Sequence, residues 1–118
     1  MLFLYIKIPA LLHASDRFRH LEEEIDRMLG EKGIGSVAGW GGSLGAALAD
    51  GSRPIGFTRI DVDVSDIAAA TAILRTSLPT LGAPPGTEIY YTVERRNRKD
   101  VYAESGWVLD LPGLDAQQ

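Results

Sequence analysis

The chain has no cysteine among its 118 residues. That excludes disulfides, thiolate nucleophiles and zinc sites built on sulfur, and it fits a reducing cytoplasm. Histidine is scarce: only His13 and His20 are present, neither in Ser–Asp or metal-ligand spacing. No G-x-S-x-G elbow and no H-E-x-x-H helix occurs. No apolar run approaches the ~20 residues of a membrane span. The opening run Met1–Ile6 stops at Lys7 and has no basic segment before it, unlike a signal peptide. Positive charge is also short, with 12 Lys and Arg against 16 Asp and Glu and a net charge of −4. A nucleic-acid binder concentrates phosphate-neutralising charge, so this balance points away from polyanions. The expectation from these absences is a cytoplasmic protein with no membrane or nucleic-acid partner, no cofactor, no bound metal and no catalytic constellation.

What remains is an ordinary globular composition, 45% hydrophobic and 24% charged, in a chain about one domain long. Residues 2–8 alternate, with Leu2, Leu4, Ile6 and Ile8 on one side and Phe3, Tyr5 and Lys7 on the other, which predicts a strand. Ser15 and Asp16 suit a helix start. Phe18, Leu21, Ile25, Met28 and Leu29 follow as one apolar stripe, and Gly30 or Gly33 supplies a C-cap. A glycine-rich strand is expected over 34–45, weak enough for a sheet edge. The turn-forming Asp50-Gly51-Ser52-Arg53-Pro54 precedes a further strand over 57–64. There Ile60, Val62 and Val64 face one way and Arg59, Asp61 and Asp63 the other.

Ser65 and Asp66 cap a second helix, with a stripe of Ile67, Ala70, Leu74, Leu78 and Leu81. Pro79 lies inside that pattern and removes one backbone donor from its last turn. The Gly82–Gly86 segment stops it. A strand over 87–94 puts Ile89, Tyr91 and Val93 inward and Glu88, Tyr90, Thr92 and Glu94 outward.

The order β-α-β-β-α-β joined by right-handed crossovers predicts an α+β ferredoxin-like sandwich. Its four antiparallel strands would lie in the order 4-1-3-2, with two helices on one face. This domain would span residues 1–94. Residues 95–118, with the basic run Arg95-Arg96-Asn97-Arg98-Lys99 and then Val101-Tyr102 and Trp107-Val108-Leu109, read as an extra strand or a packed tail, a C-terminal extension on or beside it.

Four surfaces are candidate sites. Gly39, Gly41, Gly42 and Gly45 invite a phosphate-loop reading, because glycines let backbone N–H groups approach an anion. The Lys-Ser/Thr pair of a P-loop is missing, and a glycine-rich edge or bulge explains the same residues. Asp61 and Asp63, with Asp66 and Glu94 nearby, could hold a hard cation or share a proton. Lys7 and Arg59 on the same face can instead pair with them, and no calcium-loop glycine follows. Phe3 and Tyr5 resemble a base-stacking platform, but acids on the neighbouring strand would repel phosphates. The fourth reading is the preferred one. An open sheet face bearing Phe3, Tyr5, Lys7, Arg59, Asp61, Asp63 and Tyr90 is too apolar to stay wet, and such patches mark protein contacts. Either a second chain or residues 101–109, with Trp107, would cover it.

The segments Gly41-Gly42-Ser43-Leu44-Gly45, Ile60-Asp61-Val62-Asp63-Val64, Leu74-Arg75, Leu78 and Gly82-Ala83-Pro84-Pro85-Gly86-Thr87 resemble small bacterial proteins of unassigned function. That resemblance covers less than half the chain. It implies a ferredoxin-like fold and, for some such proteins, a role as immunity partner of a secreted toxin; it carries no active site. The expected function is a non-catalytic protein-binding or self-associating domain, a homodimer or the holder of one protein partner. The rival is a small-molecule-binding protein or enzyme of the dimeric ferredoxin-like type, with Tyr5, Asp61, Asp63 and Tyr90 lining a cavity between two facing sheets.

Overall fold

The structure, a computed structural model, describes residues 2–9, 15–44 and 55–113, with side chains described at 2–9, 20–39 and 59–113. Eight elements follow one another: β1 (Leu2–Pro9), α1 (Ser15–Glu31), β2 (Gly35–Leu44), β3 (Ile55–Val64), α2 (Ile67–Thr80), β4 (Glu88–Val93), β5 (Arg96–Ala103) and β6 (Gly106–Pro112). The strands form one sheet in the order β2-β3-β1-β4-β5-β6, antiparallel throughout.

The period-two alternation of the strands sorts their side chains cleanly. Leu4, Ile6, Ile8, Ile60, Val62, Val64 and Ile89 are buried on one sheet face. Leu21, Ile25 and Leu29 from α1 and Ala70, Leu74 and Leu78 from α2 pack into the same cluster. Both helices therefore lie on one side of the sheet, as their apolar stripes require. Gly33 and Gly82 each stop a helix at positive φ. After α1, Ile34 donates to the Leu29 carbonyl and Gly33 to Gly30; after α2, Ala83 donates to Leu78 and Gly82 to Pro79. These pairs are the two bonds of a Schellman cap. At the start of α2 the capping side chain is Asp66, whose Oδ1 accepts from the Ala69 amide at 3.1 Å.

The expected four-stranded sheet is corrected to six strands. Residues 96–112 form two further strands of the same sheet. Their basic opening hides the pattern: Arg96 to Lys99 carry no apolar alternation, and the turn before them, Glu94-Arg95, has no glycine. Both turn residues nevertheless adopt positive φ, 52° and 66°, the signature of a two-residue hairpin of type I′. Alternation resumes afterwards, with Asp100 and Tyr102 on the helix side and Lys99 and Val101 on the other.

This hairpin also settles where Trp107 goes. It pairs with Tyr102 and packs against the core beneath α2, not over the open face. Its Nε1 donates to the Arg75 carbonyl at 2.8 Å. That acceptor is free because Pro79, four residues on, has no N–H to give it. The proline that interrupts the helix pattern and the tryptophan that docks on the helix are two halves of one arrangement. Asp100 seals the same contact. Fully buried, it accepts from Arg75 Nη1 at 2.8 Å, the Tyr91 hydroxyl at 2.7 Å and the Asp110 amide at 2.9 Å.

Candidate functional site

Among the described residues, both helices occupy one face of the sheet and leave the other to side chains alone. Antiparallel register places those side chains in rows running across all six strands. One row reads Gly39, Asp61, Tyr5, Tyr90, Lys99, Leu111 from the β2 edge to the β6 edge. The next reads Gly41, Arg59, Lys7, Glu88, Val101, Val108. Alternation along β1, β3 and β4 thus brings together every residue expected on this face, and β5 and β6 extend it.

The centre of the face is a stack. The Tyr5 and Tyr90 rings lie 4.7 Å apart and 10° from parallel. The Arg59 guanidinium sits 3.9 Å from the Tyr5 ring centre, and Phe3 closes the side of Tyr5 at 6.3 Å. On the far side the Lys99 ammonium lies 5.7 Å from the Tyr90 ring. Each cation is also held by an acid: Arg59 Nε by Asp61, and Lys99 Nζ by Glu88 at 3.0 Å. The Tyr90 hydroxyl donates to Glu88 Oε1 at 3.1 Å. Cation–π contact and stacking hold these side chains in one continuous row across β3, β1, β4 and β5.

The consequence is uneven exposure. Tyr90 is only 5% exposed although it points away from the helices, and Tyr5 is half-buried. Phe3 remains 45% exposed and Val108 44%. Burial, and then the charge and hydrogen bond of Glu88, push the Tyr90 hydroxyl well above the usual tyrosine range. Burial also raises Tyr5, with Arg59 opposing. Both phenols are therefore neutral, with Tyr90 covered by its neighbours and Tyr5 the more exposed ring.

Other candidates separate from this cluster. Asp63 stands beside Phe3 and Ser36 at the end of the face. Asp66 is spent on its cap, and Glu94 sits exposed in the β4–β5 turn. Among the described residues no group of three His, Cys, Asp or Glu gathers to hold a metal ion. Gly39, Gly41 and Gly42 lie in β2, paired to β3 along the sheet edge, with a register shift between Val37 and Gly39. The Asp26 side chain reaches from α1 to accept the Val37 amide at that bulge, at 2.9 Å. Gly45 and His13 lie outside the described residues, and His20 is an exposed residue of α1.

Lys99, Leu111 and Val108 were not legible as members of the face, because the β5 and β6 strands themselves were not. Asp100 was missed for the same reason.

Comparison with protein families, curated proteins and solved structures finds no match for this chain.

Among the described residues no helix is long and apolar enough to cross a membrane. The assignment of function therefore rests on the geometry of the open face.

Proposed function

We propose that this protein is a non-enzymatic self-associating domain whose working surface is the open face of its sheet. The reading includes a ferredoxin-like core, supported by the order β2-β3-β1-β4 and the two helices on one side, to which β5 and β6 add a hairpin. One observation carries it: the Tyr5–Tyr90 stack, clamped between Arg59 and Lys99, forms a fixed row of side chains with Phe3 and Val108 still exposed around it. Preorganised aromatic side chains lose little rotamer freedom on contact, which is why they anchor interfaces. The balanced charges beside them set register and partner choice rather than bulk affinity.

The small-molecule alternative needs a cavity on this face, and the stacked Tyr5 and Tyr90 rings fill its middle. The occupant favoured is a second copy of the chain.

Tyr5→Glu tests the reading. It removes the stack and places a carboxylate beside Asp61, which pairs with Tyr5 in register. Sedimentation equilibrium should show a self-associating wild type and a folded, monomeric variant. A wild type that associates equally well with and without the substitution would place the contact elsewhere on the molecule.

A further inference from the structure

We infer that two copies meet face to face about a twofold axis parallel to the strands, running between β1 and β4. This rests on the open face being the contact surface, and it names the partner and its alignment. A twofold axis of that direction lays each row on itself reversed. The row Gly39, Asp61, Tyr5, Tyr90, Lys99, Leu111 then meets Leu111, Lys99, Tyr90, Tyr5, Asp61, Gly39.

Every position in that row finds a complement. Tyr5 lies over Tyr90, the ring edges of one copy meeting those of the other, since the ring faces are already stacked within each chain. Asp61 lies over Lys99. Within one chain these two are three strands apart, about 14 Å at the ordinary strand spacing, too far to pair. Leu111 at one edge lies over Gly39 at the other. A Cβ built at Gly39 meets nothing within 4 Å in its own chain, so the space over this edge is open to a side chain from the partner. In the adjacent row Val108, 44% exposed, lies over Gly41 and Lys7 over Glu88, while Arg59, held within its own chain by Asp61, lies over Val101. At Asp61 with Lys99, Lys7 with Glu88, and the β6 apolar residues with the β2 glycines, size and charge match under the one operation, as an isologous interface demands. Aligned sheets at about 10 Å separation leave room for these side chains to interdigitate.

The glycines of β2 thereby acquire a reason beyond edge flexibility. They accommodate the apolar residues that β6 contributes from the partner. The complementarity needs all six strands, since Lys99, Val108 and Leu111 come from the C-terminal hairpin.

Charge reversal and mixing test the alignment. Asp61→Lys sets lysine against Lys99 of the other copy, twice. Lys99→Glu sets glutamate against Asp61, twice. Each variant alone should be monomeric, with its dimer dissociation constant raised at least about tenfold, a factor worth about 1.4 kcal/mol. Mixed one to one, they should form a heterodimer, and the double variant D61K/K99E should recover the homodimer. Circular dichroism melts establish that each single variant is folded. Gly39→Phe gives an independent arm: its Cβ meets nothing within 4 Å of its own chain, so the variant should fold, as its melt will show, and weaken association to the same degree.

Sedimentation velocity reads all of these. If Tyr5→Glu abolishes association while mixing the charge variants restores nothing and Gly39→Phe is silent, the axis is wrong and the face assignment stands. If Tyr5→Glu is also silent, or the wild type is monomeric, both are overturned.

Discussion

At the scale of single residues, the most demanding group in the protein is Asp100. A fully buried carboxylate is tolerated only when its charge and lone pairs are matched, and here one cation, one hydroxyl and one amide do so. Asp100→Ala strands Arg75 beside a cavity and leaves the Asp110 amide without its acceptor. We expect a stability loss of about 3–5 kcal/mol by urea unfolding; a loss under about 1 kcal/mol would show that the network is incidental. The turn residue Arg95 predicts the opposite sign. Its φ of 66° belongs to glycine's range, so Arg95→Gly should relieve strain and stabilise the protein by about 1 kcal/mol. An unchanged or lowered denaturation midpoint would count against that turn geometry.

The tyrosines add a pH dependence whose sign follows from burial. Tyr90 and Tyr91 are both raised in the folded chain, Tyr91 by burial and then by its hydrogen bond to Asp100. Groups raised above their unfolded value contribute stability that is whole below about pH 10 and is lost as pH climbs past it. Stability should therefore fall above pH 10 by about 1.4 kcal/mol per pH unit for each such tyrosine. Tyr90→Phe and Tyr91→Phe should each flatten that slope, and parallel slopes in all three proteins would refute the assignment.

At the scale of elements, Trp107 and α2 are tied through a carbonyl that Pro79 leaves free. Trp107→Phe keeps the ring packing and removes the donor, so it should cost about 1–3 kcal/mol. The further substitution Pro79→Ala restores a donor to that carbonyl and should recover part of the loss. Helix packing itself is tested at Ile25 and Leu74, each fully buried, where truncation to Ala should cost about 2–5 kcal/mol. The first four strands and both helices were legible because Leu4, Ile6, Ile60, Val62, Leu74, Leu78 and Ile89 fall at periods of two or 3.6, and all of them are buried. The β5–β6 hairpin was not. Arg96, Asn97, Arg98 and Lys99 offer no hydrophobic rhythm, and Asp100 and Tyr102 face the helices where alternation expects apolar residues. Their pairing comes from backbone bonds and a buried ion pair, neither of which shows in a hydropathy pattern.

At the scale of the whole molecule, the same blind spot hid part of the site. Phe3, Tyr5, Lys7, Arg59, Asp61, Asp63 and Tyr90 could be placed on one face from alternation alone, and register joins them there. Which charges they meet could not be read until β5 brought Lys99 beside Tyr90. The open face is an organised surface rather than a scatter of exposed residues: its rings stack, and its cations are held by acids and rings. In the proposed dimer Val108 and Leu111 of β6 stand opposite Gly41 and Gly39 of β2. Its central claim is therefore a claim about location. A dilution series of amide nitrogen–proton spectra tests it most directly, because residues entering and leaving an interface shift with concentration. The account predicts concentration-dependent shifts concentrated at Phe3, Tyr5, Asp61, Tyr90 and Lys99, with α1 and α2 unmoved. Shifts confined to the helices, or spectra identical at all concentrations, would contradict it.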